Sequence, residues 1–144
     1  MRYSSGLALG YRELNFLSTP IYRIMQAVPA SRYKVMTQHA QVESTLHSLH
    51  QALINADKWS TEKIGAEALS SQQPFCLDTM NFSEWLQFVF IPKIQALIHA
   101  QEALPCFLKD QGLAPMAREF YSGSEADRRI LAVICQIDEL LQNP

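Results

Sequence analysis

Four side chains suited to holding a metal recur at helical spacing: His39, Glu43, His47 and His50 stand 4, 4 and 3 residues apart. On a helix turning 100° per residue all four fall within about 80° of arc. Imidazole and carboxylate suit Zn or Ni, and an i, i+4 pair can reach a single ion. A solvated polar flank explains the same row without an ion. The second reading is adopted, with no metal and no cofactor implied. Asp78, Thr79 and Glu84 border an aromatic cluster, where a carboxyl with a raised pKa serves general acid or base work. Helix-start chemistry accounts for all three, since acids favour the first turn and hydroxyls satisfy free amides. Cys76, between Phe75 and Leu77, reads as a buried thiol rather than a nucleophile. Neither GxGxxG nor GxxxxGK[ST] occurs, and Gly123-Ser124 reads as a helix cap. No residue is assigned to catalysis.

The aromatic residues carry more. Phe75, Phe82, Trp85, Phe88 and Phe90 lie within sixteen residues. On a regular helix Trp85 and Phe88 lie about 60° apart, whereas Phe90 lies about 140° from Trp85. They cannot all face one way, so one side packs on a loop or stays partly exposed. Exposed aromatic patches mark interaction sites. The binding surface expected from the sequence is therefore Phe75, Trp85, Gln87, Phe88, Pro92 and Lys93, where aromatic area meets a few polar groups.

The elements that must position these residues are helices. After Thr37 as cap, Val42, Leu46, Leu49 and Leu53 recur at helical spacing and predict a helix over 37–56. Residues 57–74 read as a loop with at most one turn around Ala66 to Leu69. Asn81-Phe82-Ser83-Glu84 has capping-box chemistry and opens a helix over 82–101. Pro92 lies inside it, at a cost of roughly 3 kcal/mol unless packing offsets it. Apolar periodicity resumes at Ile94, Leu97 and Ile98, so a kink is expected rather than a break. A short helix over 115–121 follows. Ser124 then caps a last helix over 124–142, whose apolar face is Ile130, Val133, Ile134, Ile137, Leu140 and Leu141. Sustained alternation is absent, which predicts an all-α bundle built on helices 37–56, 82–101 and 124–142 with short helices closing it.

At 144 residues one core is affordable without disulfides, and the three cysteines, about thirty residues apart, read as reduced core thiols. Residues 1–34 carry five basic side chains against one acidic, while the remainder carries seven against thirteen. An acidic body repels a phosphate backbone, so nucleic acid is expected only through the first 35 residues. Those residues read as an arm, with a short amphipathic helix over 20–28 presenting Ile21, Ile24, Met25 and Val28. No apolar run is long enough to span a bilayer and no secretory leader is evident, so a cytoplasmic protein is expected.

Several motifs join into a family pattern: Gln73-Pro74-Phe75, Asp78-Thr79-Met80, Glu84-Trp85-Leu86-Gln87 and Ile91-Pro92-Lys93, with Trp59 and Leu104-Pro105. In these the chain resembles the YqcC-like family of small, all-helical bacterial proteins of uncharacterised function, from about Met36 to the C-terminus. Members of that family typically begin near the position of Met36, which implies that residues 1–35 are an extension and 36–144 the helical domain. The resemblance also implies an association with tRNA pseudouridine synthase, since the family's gene often neighbours that enzyme's. The function expected is a non-catalytic module binding a protein or peptide, with an accessory role in tRNA pseudouridine modification as the alternative. A homo-oligomer is left open.

Overall fold

The computed structural model describes residues 29–142. The expected helix over 20–28 and most of the expected arm lie outside the described residues. Five α-helices and no strand are found among those described, which is the all-α bundle the periodicity predicts.

Helix α1 spans Ala30–Asn55 and starts seven residues before Thr37. The carbonyl of Pro29 accepts from the amides of Arg32 at 2.9 Å and Tyr33 at 3.0 Å, so the first turn closes there. No glycine or proline interrupts the run from Ala30 onward. Its buried stripe is His39, Val42, Leu46, Leu49 and Leu53. His39 therefore departs from the solvated flank expected of it: three residues before Val42, it extends the leucine stripe into the core. Its Nε2 has no hydrogen-bond partner. The helix ends with Asp57 at φ 56° and the Lys58 amide on the Leu53 carbonyl at 2.9 Å, a Schellman closure without glycine.

The 57–74 segment contains only the single turn α2, Ala66–Leu69, as expected, and a 3₁₀ turn follows at Pro74–Cys76. Phe75 and Cys76 are both left-handed, at φ 56° and 50°. Each costs about 1–2 kcal/mol in that conformation. The Cys76 carbonyl accepts from the amides of Thr79 and Met80, both at 3.0 Å, which helps hold the bend.

Helix α3 runs over 82–99. Its start is the capping box read from the sequence: the Glu84 amide donates to Asn81 Oδ1 and the Asn81 amide to Glu84 Oε2, both at 2.9 Å. The distortion expected at Pro92 takes the form of a π turn one turn earlier, Leu86–Phe90, between the α-helical pieces Phe82–Trp85 and Ile91–His99. Pro92 has no N–H for the Phe88 carbonyl, and its ring crowds the preceding turn. Widening to i→i+5 bonds, as from the Ile91 amide to the Leu86 carbonyl, relieves the crowding without ending the helix. Helix α3 stops at His99, two residues before the expected end, with Gln101 at φ 56° and the Glu102 amide on the Leu97 carbonyl at 2.9 Å.

After an irregular segment come α4, Ala114–Phe120, and α5, Glu125–Gln142. Helix α5 buries Ile130, Ile134, Ile137 and Leu141, and these meet the α1 stripe and Phe82, Leu86, Phe90 and Ile94 of α3 in one core. Asp138 is buried on the same face of α5. It accepts from the amides of Leu113 at 2.8 Å and Ala114 at 2.7 Å, which begin α4. Gly112 permits this approach, since a Cβ there would lie 2.3 Å from Asp138 Oδ2. Cys76 is buried and Cys135 half-buried, but Cys106 is exposed rather than in the core. It lies in a segment without regular structure, between Pro105 and Phe107, which are both half-buried.

Candidate functional site

The π turn decides which side chains of α3 share a face. With i→i+5 closure, residue i+5 returns above residue i, so Phe90 comes to lie over Trp85. Their rings stack at 5.8 Å and 24°, which overturns the 140° separation expected from a regular wheel. Trp85 also stacks on Phe82 at 5.9 Å and 8°, and Phe82 stacks on Phe120 of α4 at 5.5 Å. Phe75 meets Trp85 edge-on at 4.8 Å, so the left-handed bend at Phe75 serves to place that ring. The result is one aromatic row, Phe120, Phe82, Trp85 and Phe90, with a hollow at either end.

The first hollow is an apolar groove of about 460 Å³. One wall is α3, through Trp85, Val89, Phe90, Lys93, Ile94 and Leu97, with Phe75 at its end. The other is the irregular segment over 103–113, through Leu104, Pro105, Phe107 and Leu113. That segment is tied to α5 by the Phe107 amide on the Leu141 carbonyl at 3.0 Å and by Asp138. Among the described residues Lys93 is the one charged residue lining the groove, and it is exposed.

Of the six residues expected to form the binding surface, the structure brings together Phe75, Trp85 and Lys93. Gln87 does not join them. It is buried, and its amide makes a reciprocal pair with the backbone of Ser60, accepting at 2.8 Å and donating at 2.9 Å. Phe88 and Pro92 do not line the groove either, because the widened turn rotates them away from Trp85. Sequence reasoning missed Val89, Leu97, Phe107 and Leu113. Of these only Val89 and Leu97 carried a signal, as apolar residues four and twelve after Trp85.

The second hollow, of about 350 Å³, is polar. It is lined by Asp57, Lys58, Trp59 and Ser60 after α1, by Asn81, Ser83 and Glu84 at the start of α3, and by Phe120 and Tyr121 at the end of α4. Apart from the exposed Asp57 carboxylate, its acidic, basic and hydroxyl groups are engaged. The Tyr121 hydroxyl and Ser83 Oγ are 2.6 Å apart, Lys58 Nζ is 3.5 Å from Asp127 Oδ1, and Asn81 and Glu84 cap each other. Burial pushes the Tyr121 phenol up to about 12, against the opposing Ser83 hydrogen bond and with the help of the Asp127 charge. Burial also pushes Asp127 up, but the Ser124 amide, the Lys58 ammonium and the Gly123 amide outweigh it and hold this carboxyl below its usual value.

The residues singled out for acid, base or metal chemistry take other parts. Glu84 is a cap, Asp78 accepts from Ser71 Oγ, and Thr79 Oγ1 donates to the Ala68 carbonyl at 2.8 Å. The row of His39, Glu43, His47 and His50 is divided: His39 is in the core, Glu43 and His47 are exposed, and the His50 ring lies 4.2 Å from Trp59. No group of three or more His, Cys, Asp or Glu converges among the described residues.

An all-helical bundle with an apolar groove beside a π-distorted central helix is thus the class of protein that fold and geometry define. The chain belongs to the YqcC-like family, DUF446, whose family model carries the description tRNA pseudouridine synthase C and matches residues 41–140. It is 33% identical over 103 residues to an uncharacterised protein of Haemophilus influenzae, covering 72% of this chain and 94% of that protein. It is 36% identical over 70 residues to the uncharacterised protein YqcC of Escherichia coli, covering 49% of this chain and 64% of that protein. The solution NMR structure of YqcC from E. coli superposes with a TM-score of 0.62 at 30% identity, over 74% of this chain and 90% of that one. A Pectobacterium carotovorum protein named tRNA pseudouridine synthase C is 40% identical over 70 residues, 49% of this chain but 19% of that protein. About four-fifths of that protein therefore lies outside the likeness.

Proposed function

We propose that the chain is a non-catalytic interaction module whose groove beside Trp85 receives an apolar stretch of a protein partner. The observation that carries this reading is the groove itself: about 460 Å³ lined by aromatic and aliphatic side chains, with one cation at the rim. Binding sites are concave, largely apolar and fixed in orientation by a few polar groups. Among the described residues no helix is long and apolar enough to cross a membrane, and we read the compartment as the cytoplasm. The test is affinity purification from the native host with the full chain and with Val89→Glu, which puts a charge in the groove wall. A partner released by Val89→Glu, with circular dichroism and melting unchanged, is the expected result. A partner set unaltered by that variant refutes the reading.

A second reading, an accessory role in tRNA pseudouridine modification, is favoured by the Pectobacterium protein, in which a likeness to this chain is one-fifth of a chain named for that activity. In this reading the groove contacts the enzyme and not the RNA, because seven basic side chains against thirteen acidic after residue 34 disfavour phosphate. A pseudouridine synthase among the partners released by Val89→Glu supports it. Retention of tRNA by residues 36–144 at low salt would overturn the assignment of the contact.

A further inference from the structure

Resting on the groove reading above, we infer that the occupant is an amphipathic helix of about three turns that carries a carboxylate beside its apolar face. Three observations bear on its shape. Trp85, Val89, Lys93 and Leu97 line the groove along α3; the step from Trp85 crosses the π turn and the next two are steps of four residues, a ridge of at most about 18 Å at 1.5 Å per residue. Ridges at i±4 are what a second helix packs against, and 18 Å is the length of about three helical turns. A peptide that binds as an added strand needs a sheet edge, and no strand exists among the described residues to offer one. A helix brings its own backbone bonds and asks the groove only for side-chain contact, which an apolar lining supplies.

The charge follows from Lys93. It stands within that ridge, between Val89 and Leu97, exposed, and no carboxylate of the described residues pairs with it. A carboxylate one turn from the apolar anchors of the incoming helix reaches it. The rest of the occupant is neutral or basic, since the thirteen acidic side chains after residue 34 outnumber the seven basic ones and repel further negative charge.

The experiment is selection from a phage-displayed random library of peptides of about 16 residues, long enough for the three turns, on the full chain, followed by titration of the synthetic winners. Trp59→Phe leaves Trp85 as the sole tryptophan reporter. The expected winners carry apolar residues at i, i+4 and i+7 with an Asp or Glu adjoining. Their binding is lost with Val89→Glu, weakens by about two- to fivefold with Lys93→Glu, and returns when the peptide's own acid is changed to Lys. Groove-dependent winners with prolines or without helical spacing overturn the helix and leave the groove reading standing. Winners indifferent to Val89→Glu overturn both. Failure to enrich any peptide overturns both as well, unless sedimentation shows self-association abolished by Val89→Glu, in which case a second copy fills the groove and the helical-partner inference falls.

Discussion

On one side of α3 the groove presents Trp85, Val89 and Leu97 against Leu104, Phe107 and Leu113, with Lys93 alone carrying charge. On the other, the cleft presents Lys58, Ser60, Asn81, Ser83, Glu84 and Tyr121 beside the exposed Asp57, and apart from Asp57 each has a partner within the chain, Asn81 and Glu84 being each other's. The two hollows are of similar size and lie at opposite ends of the same aromatic row, so volume does not separate them. What separates them is whether their chemistry is already used. In the cleft the polar groups join three connecting segments, and the space left over is a consequence of that joinery. In the groove the apolar area has no such partner among the described residues, and apolar area left at a surface is the free energy from which association draws.

If this contrast is right, damage on each side should remain local. The largest effect is expected from Asp138→Ala, which strips the buried carboxylate from the Leu113 and Ala114 amides and frees the end of the groove's outer wall. Two buried N–H groups lose a charged acceptor, a destabilisation of about 3 kcal/mol. Denaturant unfolding measures it, and exchange of the Leu113 and Ala114 amides should quicken while that of Ser60 does not. The matching change on the cleft side is Gln87→Ala, which removes both bonds to Ser60 and leaves its backbone unpartnered, at about 2 kcal/mol. There the Ser60 amide should lose protection and the groove should keep its peptide affinity. Loss of groove binding in Gln87→Ala would show that the two hollows are coupled through α3.

Much of this was legible in the chain because it is local. The stripe from Val42 to Leu53, the box of Asn81 and Glu84 and the cap at Ser124 each depend on residues a turn or two apart, and periodicity reports such relations directly. Asp138 and Gln87 were not legible in the same way. Their partners lie 25 and 27 residues off, and an acid or amide on an otherwise apolar face looks like any polar interruption. Phe88 and Phe90 exchanged places for a different reason. A wheel assumes a constant turn, and the π turn ahead of Pro92 breaks that assumption within one residue of the site. The outer wall of the groove has no period at all, so Phe107 and Leu113 could be found only in three dimensions.

A smaller effect tests the claim that the cleft is internally satisfied. Tyr121→Phe removes the hydroxyl from Ser83 and is expected to cost about 1 kcal/mol. Because the folded phenol is raised from 10.0 to about 12, its contribution is fully present below pH 10 and is lost as pH climbs through about 12. The alkaline fall in melting temperature should therefore be shallower in Tyr121→Phe than in the parent. Asp127 has the opposite sign: its folded value lies below 3.8, so the stability it adds is present above that value and lost as the solution is acidified through the folded value.

The smallest expected effect is a gain, and it bears on how firmly the groove's frame is held. Gln101 ends α3 in the left-handed region at φ 56°, where a side chain pays a steric cost and glycine does not. The backbone closure, from the Glu102 amide to the Leu97 carbonyl at 2.9 Å, needs nothing from the glutamine side chain, which is exposed. Gln101→Gly should therefore stabilise the fold by about 0.5–1 kcal/mol, net of the extra entropy that glycine gives the unfolded chain. The position lies two residues before the outer wall begins at Ala103 and directly after the ridge that ends at Leu97. If the groove is a rigid receptor, peptide affinity should not change while the melting temperature rises. If affinity falls as stability rises, the outer wall moves to admit its occupant, and the hinge lies at the end of α3.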